Sequence, residues 1–310
     1  MRVAVVFPGQ GTQAPGMGMP WKGQPAWSVV DRAEAALGEP LAPLLLDAGA
    51  DDLARTRNSQ LSVLLTSLMV WEAVGPALTA AADIEIVAFA GHSLGQVTAL
   101  VAAGTLSVDD GIRFAARRAD LTQAAADGHP GRMAALLGAT EEQANEACAA
   151  APDACWLAND NAPGQIVLAG TAVGLEAALA RAKEIGVRRA MSLPVGGAFH
   201  TPLMDDAVAG LESALADVSL REPAAPIVSN DDAQAYTDAD GWRDRLPRHV
   251  TRPVRWRASM ETLAALGAEA FFELGHGAMI AGVAKRTVPD IAVYGIADPE
   301  AVDTLGGFRS

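Results

Sequence analysis

Positive charge is in short supply in this chain. Only three of its 23 basic residues are lysines (Lys22, Lys183 and Lys285), and the 310 residues carry a formal charge of −14. That balance argues against phosphate-backbone binding, which needs clustered cations, so no nucleic-acid partner is expected. Cysteine is nearly absent too. Cys148 and Cys155 stand in a chain with no export signal, which favours structural thiols over a disulfide or a metal pair. Long apolar runs are missing. The stretch 3–7 is too brief for a signal-peptide core, and 84–106 is interrupted by His92, Ser93 and Gln96, so no membrane span is expected. A soluble cytoplasmic protein is the resulting expectation. There is no internal repeat and no low-complexity tract, and the glycine-rich end at 306–310 reads as frayed.

Half of the residues are apolar, enough for one large domain with a smaller one inserted. Up to about residue 125, strand-like runs (3–7, 84–90) alternate with helical patterns (61–78, 96–103), which favours a parallel, helix-covered sheet. From Arg132 the texture changes. Segments 133–138, 141–150, 156–159, 165–169, 174–185 and 187–193 read strand, helix, strand, strand, helix, strand, the split βαβ pattern of a ferredoxin-like module. The alternating texture then returns, with helices over 204–215 and 260–266 and strands over 227–229 and 270–274. The expected organisation is a large domain of residues 1–127 and 197–310 with a small one of 128–196.

Gly91-His92-Ser93-Leu94-Gly95 lies between a strand and a helix. Glycines on either side of a serine permit the sharp turn that exposes a nucleophilic hydroxyl, and the following helix aims its N-terminus at the charge that builds during attack. The pattern also fits an ordinary glycine-bounded turn. A serine nucleophile needs a base, and the candidates are His92, His129, His200, His249 and His276. His200 fits best: it follows Gly196-Gly197-Ala198-Phe199 in a loop ahead of a helix, where an imidazole can face a cleft. His92 neighbours the serine and should point away from it. No histidine pair has metal-ligand spacing, so no zinc site is expected. Phe7-Pro8-Gly9-Gln10-Gly11 ends the first strand in a turn that would lie beside Ser93 at the sheet's carboxyl edge. It lacks the lysine of a nucleotide loop, so its free N–H groups are read either as oxyanion donors or as part of a plain tight turn.

Taken together, the Pro8-Gly9-Gln10-Gly11 start, the 91–95 elbow, the 159–170 segment and Ala198-Phe199-His200 resemble the malonyl-CoA:acyl carrier protein transacylase family over nearly the whole chain. The resemblance implies an α/β-hydrolase-like large domain with a mostly parallel sheet and an inserted ferredoxin-like small domain. It implies Ser93 as nucleophile, His200 as base, and the backbone N–H groups of Gln10 and Leu94 as oxyanion hole. Arg118 then matches the arginine that grips the malonyl carboxylate, with Arg117 as its rival. Adjacent helical side chains diverge by about 100°, so only one of the two can enter the cleft. Gln60, Asn161, Phe199 and His249 fall on family positions around the substrate, the His249 backbone carbonyl orienting the catalytic histidine. Malonyl-CoA and an acyl carrier protein are the implied partners, and no metal or redox cofactor is implied. Departures from the family pattern are Gln96 for glutamate, Thr122 for methionine, His249 for glutamine and His276 for proline. Phe199 looks malonyl-like, with methylmalonyl and ethylmalonyl as other extenders. Arg181, Lys183, Arg188, Arg189, Lys285 and Arg286 are candidates for docking an acidic carrier, or are solvated surface charges. The rival activity is hydrolysis of acyl groups by the same Ser93 and His200.

Overall fold

The computed structural model describes residues 1–305; the chain end at 306–310, read above as frayed, lies outside them. Among the described residues, ten strands run in chain order: β1 (Arg2–Phe7), β2 (Glu85–Gly91), β3 (Arg132–Leu137), β4 (Cys155–Ala162), β5 (Gln165–Gly170), β6 (Arg189–Ser192), β7 (Ile227–Val228), β8 (Ala235–Tyr236), β9 (Ala270–Leu274) and β10 (Ala292–Ile296). Two sheets result. The larger has the order β10-β9-β1-β2-β7-β8, parallel except for the β7/β8 hairpin. β1 is its central strand because Val3 to Phe7 is apolar on both faces, and all five residues are fully buried. Parallel neighbours require crossover connections, and these leave the strands' carboxyl ends clear for a site.

The smaller sheet is antiparallel, in the order β4-β5-β3-β6, and it is contained within residues 132–192 together with the helices Glu141–Ala149 and Ala172–Glu184. This is the ferredoxin-like order. Side-chain alternation splits its two faces: Ala134, Leu136, Ile166 and Leu168 pack with Leu175 and Ala178 under the helices, while Met133, Ala135 and Val167 face the larger domain. The strand expected over 187–193 is shorter than its pattern. Gly186, at φ 92°, and the bond from Val187 N–H to the Ala182 carbonyl prolong the helix end, so pairing begins only at Arg189. β4 is longer than expected, running through the polar Asn159-Asp160-Asn161 with two irregularities of register.

The helix Thr56–Ala80 is a longer apolar segment than the sequence reading allowed for. It is long and apolar enough to cross a membrane by length and composition, but most of it is buried inside the fold, against the helices Val108–Gly128 and Gly95–Ala102. Over 59–70, where every residue is buried, the helix has no need of a polar stripe. Cys148 and Cys155 are free thiols in or beside the small core.

β4 is also stitched to the larger domain. Asp160 N–H donates to the Val254 carbonyl at 2.9 Å, Val254 N–H donates to the Ala158 carbonyl at 2.9 Å, and Arg257 bonds Asp160 at 2.7 Å and Glu141 at 2.9 Å. The inward-facing Asn159 and Asn161 therefore sit in fixed register with the segment that follows His249.

Candidate active site

The elbow packs so closely that only glycine fits at its two ends. A Cβ on Gly91 would lie 1.9 Å from the Gly95 carbonyl carbon, and one on Gly95 would lie 2.4 Å from the Phe7 carbonyl oxygen. Ser93 adopts φ 52°, a conformation that costs a non-glycine residue on the order of 1–3 kcal/mol and persists only where its surroundings enforce it. Here they do. Ser93 N–H donates to Asn230 Oδ1 at 2.7 Å, and Asn230 Nδ2 donates to the Gly91 carbonyl at 2.7 Å and to Gln96 Oε1 at 2.8 Å.

Ser93 Oγ lies 2.7 Å from His200 Nε2. On the far side of the ring, Nδ1 lies 2.8 Å from the His249 carbonyl and 3.1 Å from that of Arg252. A carbonyl can only accept, so Nδ1 carries the proton and Nε2 is free to take one from the serine. The group behind the base is thus two peptide carbonyls instead of a carboxylate. Burial, followed by the positive charge of Arg118, pushes His200 down to about 3, which keeps the imidazole neutral and competent as a base.

Arg118 resolves the choice between adjacent arginines: Arg117 is exposed, whereas Arg118 is buried and lines the cavity beside Ser93. Its guanidinium donates to Gln60 Oε1 at 2.5 Å and to Ser93 Oγ at 3.2 Å. Burial lowers it to about 10, still a cation at neutral pH. No carboxylate among the described residues pairs with it. A buried cation without an anion is costly, and this one borders the open cavity.

The turn after β1 reaches the same spot. His92 N–H donates to the Phe7 carbonyl at 3.0 Å, and a Cβ on Gly9 would meet the His92 carbonyl oxygen at 2.3 Å, so turn and elbow are in direct backbone contact. The neighbouring Gly11 N–H is taken by Gln13 Oε1 at 2.7 Å, while the N–H groups of Gln10 and Leu94 have no partner among the described residues. Ser93 N–H, which could otherwise compete as an oxyanion donor, is held by Asn230.

The cavity has a volume of about 280 Å³. Its polar end holds Gln10, His92, Ser93, Arg118 and His200; its apolar wall is the inward face of the small sheet with Phe199. Asn161 lines it, and its Oδ1 accepts from His92 Nε2–H at 2.8 Å, so His92 turns from Ser93 toward β4 while its ring still borders the cavity. Gln60 is buried behind Arg118 and orients it.

One expected substrate contact is corrected. The His249 side chain does not line the cavity; it is buried the other way, with Nε2 at 3.0 Å from Ser229 Oγ and 3.4 Å from Asp231 Oδ1, and only its carbonyl meets His200. The docking candidates also divide. Arg181 is committed to Glu146 and Glu184, and with Lys183 it belongs to the helix covering the small sheet's face opposite the cavity. Arg286 bonds Gln165, a residue of the cavity wall, and Lys285 is its neighbour on the helix Met279–Thr287, whose Met279 also lines the cavity. Arg188 and Arg189 are exposed at the edge strand β6. His276, in the loop before Met279–Thr287, is partly exposed. Asn230 and the Arg252 carbonyl went unforeseen, because Ser229-Asn230-Asp231 after a two-residue strand has the composition of any polar turn.

An α/β fold that brings a serine elbow, a buried histidine and a buried arginine to one cavity fits enzymes that act on acyl groups, and residues 4–306 match the acyl transferase domain family. The chain is 34% identical to the malonyl CoA-acyl carrier protein transacylase of Bacillus subtilis over 97% of its own length and 95% of that protein. A crystal structure of an acyl carrier protein S-malonyltransferase from Vibrio cholerae superimposes with a TM-score of 0.92 at 33% identity, covering 98% of this chain and 100% of that one. A malonyl-transacylase solved in complex with its type II PKS acyl-carrier protein superimposes with a TM-score of 0.92 at 30% identity, covering 98% of each chain. This chain belongs to the malonyl-CoA:acyl carrier protein transacylase family and is an acyltransferase.

Proposed function

We propose that the enzyme carries a malonyl group from CoA to the phosphopantetheine thiol of an acyl carrier protein, in fatty acid or polyketide synthesis, by double displacement on Ser93. In the first half, His200 Nε2 takes the Ser93 proton while Oγ attacks the thioester carbonyl; the tetrahedral oxyanion lies against the N–H groups of Gln10 and Leu94. Collapse breaks the carbon–sulfur bond, the imidazolium returns the proton, and CoA leaves as thiol. In the second half the carrier thiol gives its proton to His200 and attacks malonyl-Ser93, and Ser93 Oγ departs with the proton. Both halves balance without a cofactor.

The observation that carries the reading is Arg118: a buried guanidinium, within 3.2 Å of the nucleophile and lacking an anionic partner among the described residues, suits an acyl donor with a free carboxylate. The names of the relatives support malonyl as that donor and a carrier protein as acceptor. For docking, Lys285 and Arg286, on the helix whose Met279 lines the cavity, are favoured over Arg181 and Lys183, on the helix that covers the opposite face of the small sheet. Radiolabelled malonyl-CoA tests the whole scheme: label should appear as an ester on Ser93 and be chased by carrier thiol. Release to water as fast as to carrier would instead mark a hydrolase, and no label at all would refute both.

A further inference from the structure

Ser93 is held in a conformation it would not choose, and one side chain from a distant segment does the holding. Asn230 is almost fully buried (1% exposed) and spends both polar atoms of its side chain on the elbow: Oδ1 receives Ser93 N–H, and Nδ2 serves the Gly91 carbonyl and Gln96 Oε1. The three contacts span the end of β2, the nucleophile and the first turn of the helix Gly95–Ala102. Only a carboxamide meets this demand, because it must accept on one side and donate twice on the other. Its neighbours fix its own position: Ser229 Oγ and Asp231 Oδ1 both engage His249 Nε2, and the His249 carbonyl is what receives the base's Nδ1 proton. One tripeptide therefore reaches the nucleophile directly and the base through a single intermediary.

Building on the proposed function, we infer that Asn230 is the positioning residue of the nucleophile: it holds Ser93 at positive φ within reach of His200 and, by engaging Ser93 N–H, leaves Leu94 N–H as the elbow's donor to the oxyanion. Without it, the Ser93–Leu94 peptide is free to rotate toward a relaxed conformation, carrying Oγ away from Nε2 and the Leu94 donor away from the carbonyl oxygen. Binding of the acyl donor, which depends on Arg118 and the cavity wall, should be little affected.

Rapid-mixing of the full chain with radiolabelled malonyl-CoA separates this role from a merely structural one, since burst amplitude counts competent molecules and burst rate reports the geometry within each. For Asn230→Ala the expected result is a full burst that forms about 10- to 100-fold more slowly, the range in which an ångström of misplacement is felt, with substrate KM nearly unchanged. Asn230→Asp, which keeps the acceptor for Ser93 N–H and can draw a donor from the otherwise unpartnered Gln96 Nε2, should recover part of the rate. A wild-type burst rate in Asn230→Ala, or a reduced amplitude with a normal rate in the surviving molecules, overturns the inference. If the alanine variant does not fold, Asn230→Asp decides alone: slowed at full amplitude supports positioning, and wild-type speed refutes it. Failure of the wild-type enzyme to label at Ser93 would sink the proposed function instead, so the two failures are distinguishable.

Discussion

Replacing Arg118 by alanine should change which acyl group the enzyme prefers, and by an amount the structure allows to be bounded. The guanidinium is buried beside Ser93 with only the neutral partners Gln60 and Ser93, so a donor carboxylate bound there has this cation as its counter-charge. Truncating one side of a buried charge pair costs about 2–5 kcal/mol, and each ~1.4 kcal/mol is tenfold, so kcat/KM for malonyl-CoA should fall by roughly 30- to several-thousand-fold. Acetyl-CoA has no carboxylate to strand in the cavity, and its slow turnover should change by less than about tenfold. The measurement is kcat/KM for both thioesters in wild type, Arg118→Ala and Arg118→Lys; lysine keeps the charge and loses the two-pronged geometry, so it should fall between. Thermal melting of each variant accounts separately for the Gln60 oxygen left without its donor, worth about 1–3 kcal/mol of stability. An equal loss for malonyl and acetyl donors would falsify the clamp and leave Arg118 as a structural residue.

Four further outcomes follow from the same geometry. Gly9→Ala forces a Cβ to within 2.3 Å of a backbone oxygen in the elbow, displacing the Gln10 donor; acylation should slow by about 100- to 1,000-fold, the usual cost of one oxyanion donor, and an unchanged burst would refute Gln10 as that donor. His200 is held near 3 by burial and by Arg118, so kcat/KM should show no acid limb near pH 6.5; once a carboxylate neutralises Arg118 the repulsion eases, and the kcat limb should lie at higher pH than the kcat/KM limb. The same depression has a stability sign: below 6.5 the unfolded chain protonates His200 while the folded one does not, so the denaturant midpoint should decline as pH drops from 6.5 toward 3, with buried His92 adding in the same direction. Phe199→Ala removes bulk from the cavity beside His200, and the methylmalonyl-to-malonyl ratio of kcat/KM should rise by about 10-fold or more, in line with the value of one or two methylenes of room; a constant ratio places extender choice elsewhere.

What the sequence discloses depends on how local the cause is. The elbow was readable because glycines two positions either side of Ser93 answer to sterics within five residues, and the module at 132–192 because each of its elements has its own periodicity. Helical angle showed that only one of Arg117 and Arg118 could enter the cleft, the family pattern pointed to Arg118, and burial in the fold decided it. Asn230 was not readable: its importance arises from a contact with residues about 140 positions away, and nothing in a polar turn announces it. His249 misled for the opposite reason, since its place in the family pattern concerns its backbone, and a pattern of side chains cannot say that the imidazole faces Ser229 and Asp231. Sheet edges were least legible, as β8 and β10 are short or half-exposed and lack a buried face to imprint an alternation.

The proton behind the base rests on main-chain oxygens, and this changes how damage to the machinery can arise. No codon change at position 249 or 252 deletes a carbonyl, so the third member of the relay is immune to simple mutation and can be lost only through a shift of the polypeptide itself. Any search template that demands an acidic partner for the imidazole would pass over such a protein as inert.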